Sequence, residues 1–191
     1  YITLITGEDE TLLANFINSM MININEKNKN IRLVVFNSYE ITNSFDNNVV
    51  MIDKDFDNSF DTFNKYLDTD KKQRNTLLIF NGIEKIYNSL NSKNKSLMEE
   101  LCKKTRDKNQ YDVVFIDTEN NLKKLNYETW FKNYVNTSNG IWIGNNIANQ
   151  TILKISRSTR ELRDIVKDNI GYKLYKGIPI RIKILEFTKK G

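Results

Sequence analysis

An apolar run, Tyr1 to Thr6 (YITLIT), leads into Gly7 and then into a stretch where Leu12, Leu13, Phe16, Ile17, Met20 and Met21 recur at helical spacing. A strand, a glycine turn and a helix in that order form a frame on which backbone N–H groups and a helix N-terminus can hold a phosphate. The motif built for that task is Gly-x-x-x-x-Gly-Lys-Ser/Thr. Read from Gly7, it places its second glycine at Leu12, its lysine at Leu13 and its hydroxyl at Ala14. Without that glycine the backbone cannot curl its N–H groups around a phosphate, and without the lysine no point charge reaches the outer phosphates. Gly7, Glu8 and Thr11 are what remains at the positions of such a site.

The partner element of a nucleotide site is a buried strand ending in a carboxylate that holds magnesium. Leu77 to Phe80, within NTLLIFNGIEKI, is a continuous apolar run of the kind buried on both faces, but Asn81 and Gly82 follow it. An amide is a poor ligand for a hard cation that prefers carboxylates and water. Asn81 therefore joins Gly7, Glu8 and Thr11 as a position of a weakened site, where ATP with magnesium is expected to bind feebly or not at all. Glu84 and Asp117, the latter ending another strand, keep carboxylates near a sheet switch point. Glu84 reads as a first-turn helix acid and Asp117 as an N-cap. The chain has no histidine, which removes the usual general base and the commonest metal ligand. No cofactor or metal site is expected. The single cysteine, Cys102, follows Leu97, Met98 and Leu101 at helical spacing and reads as core.

Two other groups have chemistry suited to binding. Tyr127, Trp130, Phe131 and Tyr134 form an aromatic cluster with Lys123 and Lys124 just upstream, a combination that would suit an amphipathic helix carrying acidic residues. Filling the core is the competing role for the same aromatics, as it is for Trp142. Arg157, Arg160 and Arg163 are candidates for fingers that stabilise phosphoryl charge on a neighbouring subunit, or for a solvated surface. They belong to a basic end: residues 151–191 hold 11 Lys/Arg against 4 Asp/Glu, leaving 18 against 20 before them.

The elements that must position these residues alternate. Strand-like runs lie at Ile2 to Ile5, Ile31 to Phe36, Val49 to Ile52, Leu77 to Phe80, Val113 to Ile116 and Ile141 to Ile143, several separated by helical patterns. That order predicts an α/β domain with a mostly parallel central sheet flanked by helices. Phe56, Phe60, Phe63 and Leu67 stripe one helix. Ser96 with Glu99 reads as a capping box after a break near Asn91 to Asn94, and Ser158 with Glu161 as a second, opening a helix through Leu162, Ile165 and Val166. GYKLYKGIPIRIKILEF then alternates like an antiparallel hairpin turning at Lys176 and Gly177, with Ile178 a further candidate turn residue and Ile180, Ile182 and Ile184 on one face. At 191 residues, without a Pro/Gly/Ser linker, one domain over 1–191 is expected. No apolar run reaches the roughly eighteen residues that would span a membrane.

NGIWIGNNIANQTILKIS (139–156), SRSTRELRDI (156–165) and GYKLYKGIPIRIKI (171–184) resemble, in that order, the FtsK/SpoIIIE-type ATPases, and among them the last ATPase module of the type VII secretion coupling proteins EssC/EccC. The resemblance covers the C-terminal quarter closely and the remainder by layout. It implies a RecA-like P-loop NTPase fold. It also implies a fragment from the end of a longer, membrane-anchored protein working on the cytoplasmic side of a bacterial membrane. Relatives of this kind gather small helical WXG100-type substrates for export, and their terminal modules are weak in nucleotide binding and implicated in reading a substrate signal. The expected partners are WXG100-type substrates and other ATPase modules of the same or a neighbouring protomer, with no nucleic acid and with the membrane met only through the parent protein.

Three functions follow as alternatives. The first is a degenerate module acting in substrate recognition and regulation with little or no ATP hydrolysis. The second is a module that hydrolyses ATP or lends arginine fingers to a neighbour. A DNA translocase, compatible with the basic end but lacking an evident recognition helix, comes third.

Overall fold

A computed structural model describes residues 2–27, 30–39, 49–69, 76–108, 111–163, 165 and 169–184. The strands are β1 (Ile2–Gly7), β2 (Arg32–Asn37), β3 (Val49–Ile52), β4 (Thr76–Asn81), β5 (Asp112–Thr118), β6 (Gly140–Ile143), β7 (Ile170–Tyr175) and β8 (Ile178–Lys183). The helices are α1 (Glu10–Lys27), α2 (Phe56–Thr69), α3 (Ile83–Ser89), α4 (Ser92–Lys108), α5 (Glu119–Leu125) and α6 (Thr129–Tyr134), with 3₁₀ turns at Ile147–Asn149 and Arg160–Arg163.

All eight strands join one sheet in the order β3-β2-β4-β5-β1-β6-β7-β8. The first six are mutually parallel, and β6-β7 and β7-β8 are antiparallel. The uninterrupted apolar runs of β2, β4 and β5 belong to strands covered on both faces, as parallel strands require. On one face Phe36 stacks on Phe80 with ring centroids 4.9 Å apart, and Phe60, Phe63, Phe115 and Trp130 extend the cluster. Residues of α2 to α6 all contribute to this layer. On the other face the core is closed by Leu13, Ile17 and Met21 of α1, the one helix there among the described residues.

The hairpin turns at Lys176 and Gly177, with φ of 51° and 77°. Positive φ at both central residues is the two-residue turn whose twist matches that of its strands. Ile178 already belongs to β8. Pro179 sits opposite Leu174, on a strand at the end of the sheet where a missing N–H leaves no ladder bond unmade.

Three local expectations are corrected. Ser96 does not open a helix. The cap is Asn91, whose Oδ1 accepts the Asn94 N–H at 2.9 Å, and Ser96 lies inside α4 donating to the Ser92 carbonyl. The Ser158/Glu161 pattern yields only the 3₁₀ turn Arg160–Arg163. Leu162 anchors that turn in the core and Ile165 is 88% exposed, while Val166 lies outside the described residues, as does the Leu67 side chain. Tyr127 is not on a helix, because α5 stops at Leu125 and α6 starts at Thr129.

The stacked rings give a direct test. Phe80→Ala is expected to lower unfolding free energy by about 3–5 kcal/mol, whereas Ile180→Ala on the exposed hairpin face stays within about 1 kcal/mol. Urea denaturation of both variants checks it; comparable losses would refute the placement of the core.

Candidate functional site

The C-terminal ends of β1, β2, β4 and β5 converge on one rim. β2 leads on to β3 in one direction along the sheet and β4 leads to β5 in the other, which makes their ends a topological switch point, the usual ligand crevice of such sheets.

At the end of β1, Gly7 lies against β6: a Cβ there would be 2.5 Å from the Ile143 carbonyl oxygen. Close strand contact accounts for this glycine. Glu8, Asp9, Glu10 and Thr11 are exposed beyond it. The first free N–H groups of α1 point at Asp9, whose Oδ1 accepts the Leu12 N–H at 2.9 Å and whose carbonyl accepts the Leu13 N–H at 3.1 Å. The helix N-terminus is therefore capped by the chain's own carboxylate, between two further acidic residues. Leu13 is buried in the α1 core and Leu12 is partly exposed. Asp9 was legible as an N-cap, being an aspartate just ahead of an apolar helical stripe, yet the motif reading passed over it.

At the end of β4, Asn81 is 1% exposed. Its Nδ2 donates to Asn37 Oδ1 at 2.6 Å, and Asn37 Nδ2 donates to the Tyr39 carbonyl. Asn81 Oδ1 finds no hydrogen-bond partner among the described residues. Gly82 then turns with φ +82°, and a Cβ there would meet Ser38 Oγ at 1.8 Å, so no other residue fits without moving Ser38.

Asp117, at the end of β5, is fully buried and is not the cap of its own helix; Thr118 has that role, accepting the Asn121 N–H. Asp117 Oδ1 instead accepts the Tyr39 hydroxyl at 2.6 Å, Asn121 Nδ2 at 2.8 Å and the Thr118 N–H at 2.9 Å, while Oδ2 accepts the Glu84 N–H at 2.9 Å. Burial pushes this carboxyl above the ordinary range against the pull of those donors. Burial, then the hydrogen bond to Asp117, pushes the Tyr39 phenol upward as well. Glu84 takes Lys124 at 3.1 Å and Asn88 at 2.9 Å. Both carboxylates near the switch point are thus engaged within the chain. Among the described residues no group of three metal-ligating side chains comes together.

The aromatic group does not form one surface. Trp130 and Phe131 are 2% and 1% exposed and pack in the aromatic core, which removes them as docking residues. Tyr134 is half-buried beneath the Arg106 guanidinium, 4.7 Å from its ring, so Tyr127 alone is fully open. Lys123 pairs with Glu119 at 2.9 Å and Lys124 with Glu84. Trp142 is core, its Nε1 donating to the Asn145 carbonyl. Cys102 is buried, which pushes its thiol well above the ordinary range and leaves it unreactive. Arg157, Arg160 and Arg163 are all exposed. No helix among the described residues is long and apolar enough to cross a membrane.

These features define an α/β domain with helices on both faces of a mostly parallel sheet and an antiparallel hairpin appended. Its fold is that of type VII secretion ATPase domains. The cytoplasmic domain of EssC superposes with a TM-score of 0.68 at 10% identity, covering 97% of this chain and 39% of that one. Thermomonospora curvata EccC (ATPases 2 and 3), in complex with a signal sequence peptide, gives 0.66 at 12% identity, covering 98% of this chain and 37% of that one. This chain thus spans about two fifths of either, and identities so low establish the fold alone. No family model and no curated protein matches the sequence.

Tyr39→Phe tests the Asp117 network. The folded carboxyl keeps its proton to a higher pH than the unfolded one, so its contribution to stability is present on the acid side and is lost as pH rises through the folded value. Deleting the Tyr39 donor raises that value further and enlarges the loss. The variant should be destabilised by about 1–3 kcal/mol at about pH 7 and by much less at about pH 4. Urea midpoints at the two pH values decide it, and an equal deficit at both would show that Tyr39 contributes packing only.

Proposed function

We propose that this domain is a module of a type VII secretion motor that recognises substrates and regulates the motor, with little or no ATP hydrolysis of its own. The observation that carries the reading is the Asp9 cap: the N–H group that a phosphate would need is given to a carboxylate, where the lysine position is a buried leucine. Seating a phosphate about 4 Å from that carboxylate would cost roughly 1–4 kcal/mol per pair of unit charges, with no cation to offset it. Asn81 in place of a magnesium carboxylate and the internal commitment of Asp117 and Glu84 act in the same direction. The fold shared with EssC and EccC domains, one of them holding a signal peptide, supports WXG100-type substrates and neighbouring modules as the partners. The parent protein would be membrane-anchored, with this module on the cytoplasmic side.

One observation favours a second reading. Arg157, Arg160 and Arg163 are exposed on one segment and no carboxylate pairs with them among the described residues, as arginine fingers reaching a neighbour's nucleotide would require.

Calorimetric titration with ATP and magnesium is expected to give no binding heat up to millimolar nucleotide, while immobilised domain retains a WXG100-type substrate. Micromolar ATP affinity would overturn the non-catalytic part, and failure to retain any such substrate would overturn recognition. Loss of a neighbouring module's ATP turnover on Arg160→Ala would bring the second reading forward.

A further inference from the structure

We draw no further inference here: the strongest candidate, the exposed apolar face that Tyr175, Ile178 and Ile180 present on the β7-β8 hairpin, carries nothing because nothing in the structure shows what covers it.

Discussion

A carboxylate buried beyond reach of solvent is tolerated only where donors surround it, and Asp117 gathers four from three separate segments of chain. Those donors fix the rim of the sheet. The Glu84 N–H reaches Asp117 because Gly82 turns left-handed at the end of β4 and starts α3 there. Tyr39 reaches it because the chain leaving β2 folds back over the crevice, where Ser38 and Asn37 tie it to the end of β4. Asn121 bonds both Asp117 and the Tyr39 hydroxyl, bringing α5 into the same network. Removing any one member leaves a charge short of a partner in a low dielectric, so the members stand or fall together.

The network sits where a nucleotide domain of this topology would place its ligand, and the polar groups point inward. At one end of the rim Asn81 donates to Asn37 and Asn37 to the Tyr39 carbonyl; in the middle Asp117 collects its donors; at the other end Asp9 caps α1. The rim is a clasp between secondary-structure elements, while large apolar side chains stay exposed elsewhere, at Leu12 of α1 and at Tyr175, Ile178 and Ile180 of the hairpin.

The sheet was legible because parallel strands covered on both faces appear as unbroken apolar runs, and the hairpin because its residues alternate. Motif spacing named Leu13 and Asn81 as residues of interest, and both are buried in the structure. The donors of Asp117 were not: Tyr39 is 78 residues away in sequence, and only the strand order brings it near. Trp130 and Phe131 were ambiguous because aromatics at helical spacing look alike whether they face a core or a partner; burial decides, and burial is a tertiary property. Ser96 fits a capping box by composition, but Asn91 begins the helix first, and a cap competes only with what precedes it. The short Arg160–Arg163 turn has one buried anchor among the described residues, Leu162, which is too little apolar surface to hold a longer helix.

β8 ends the sheet, and its outward row has a further meaning. An open strand edge is a template on which any extended chain can polymerise, and the hazard grows when copies are crowded together. Along this strand Pro179 is a residue without an amide proton, and Lys183 brings positive charge toward the end of the strand. The ladder an added strand could make is interrupted at Pro179, while Ile178 and Ile180 of the same strand stay exposed on the face. The hairpin can thus remain sticky to a complementary surface without seeding aggregation of its own kind.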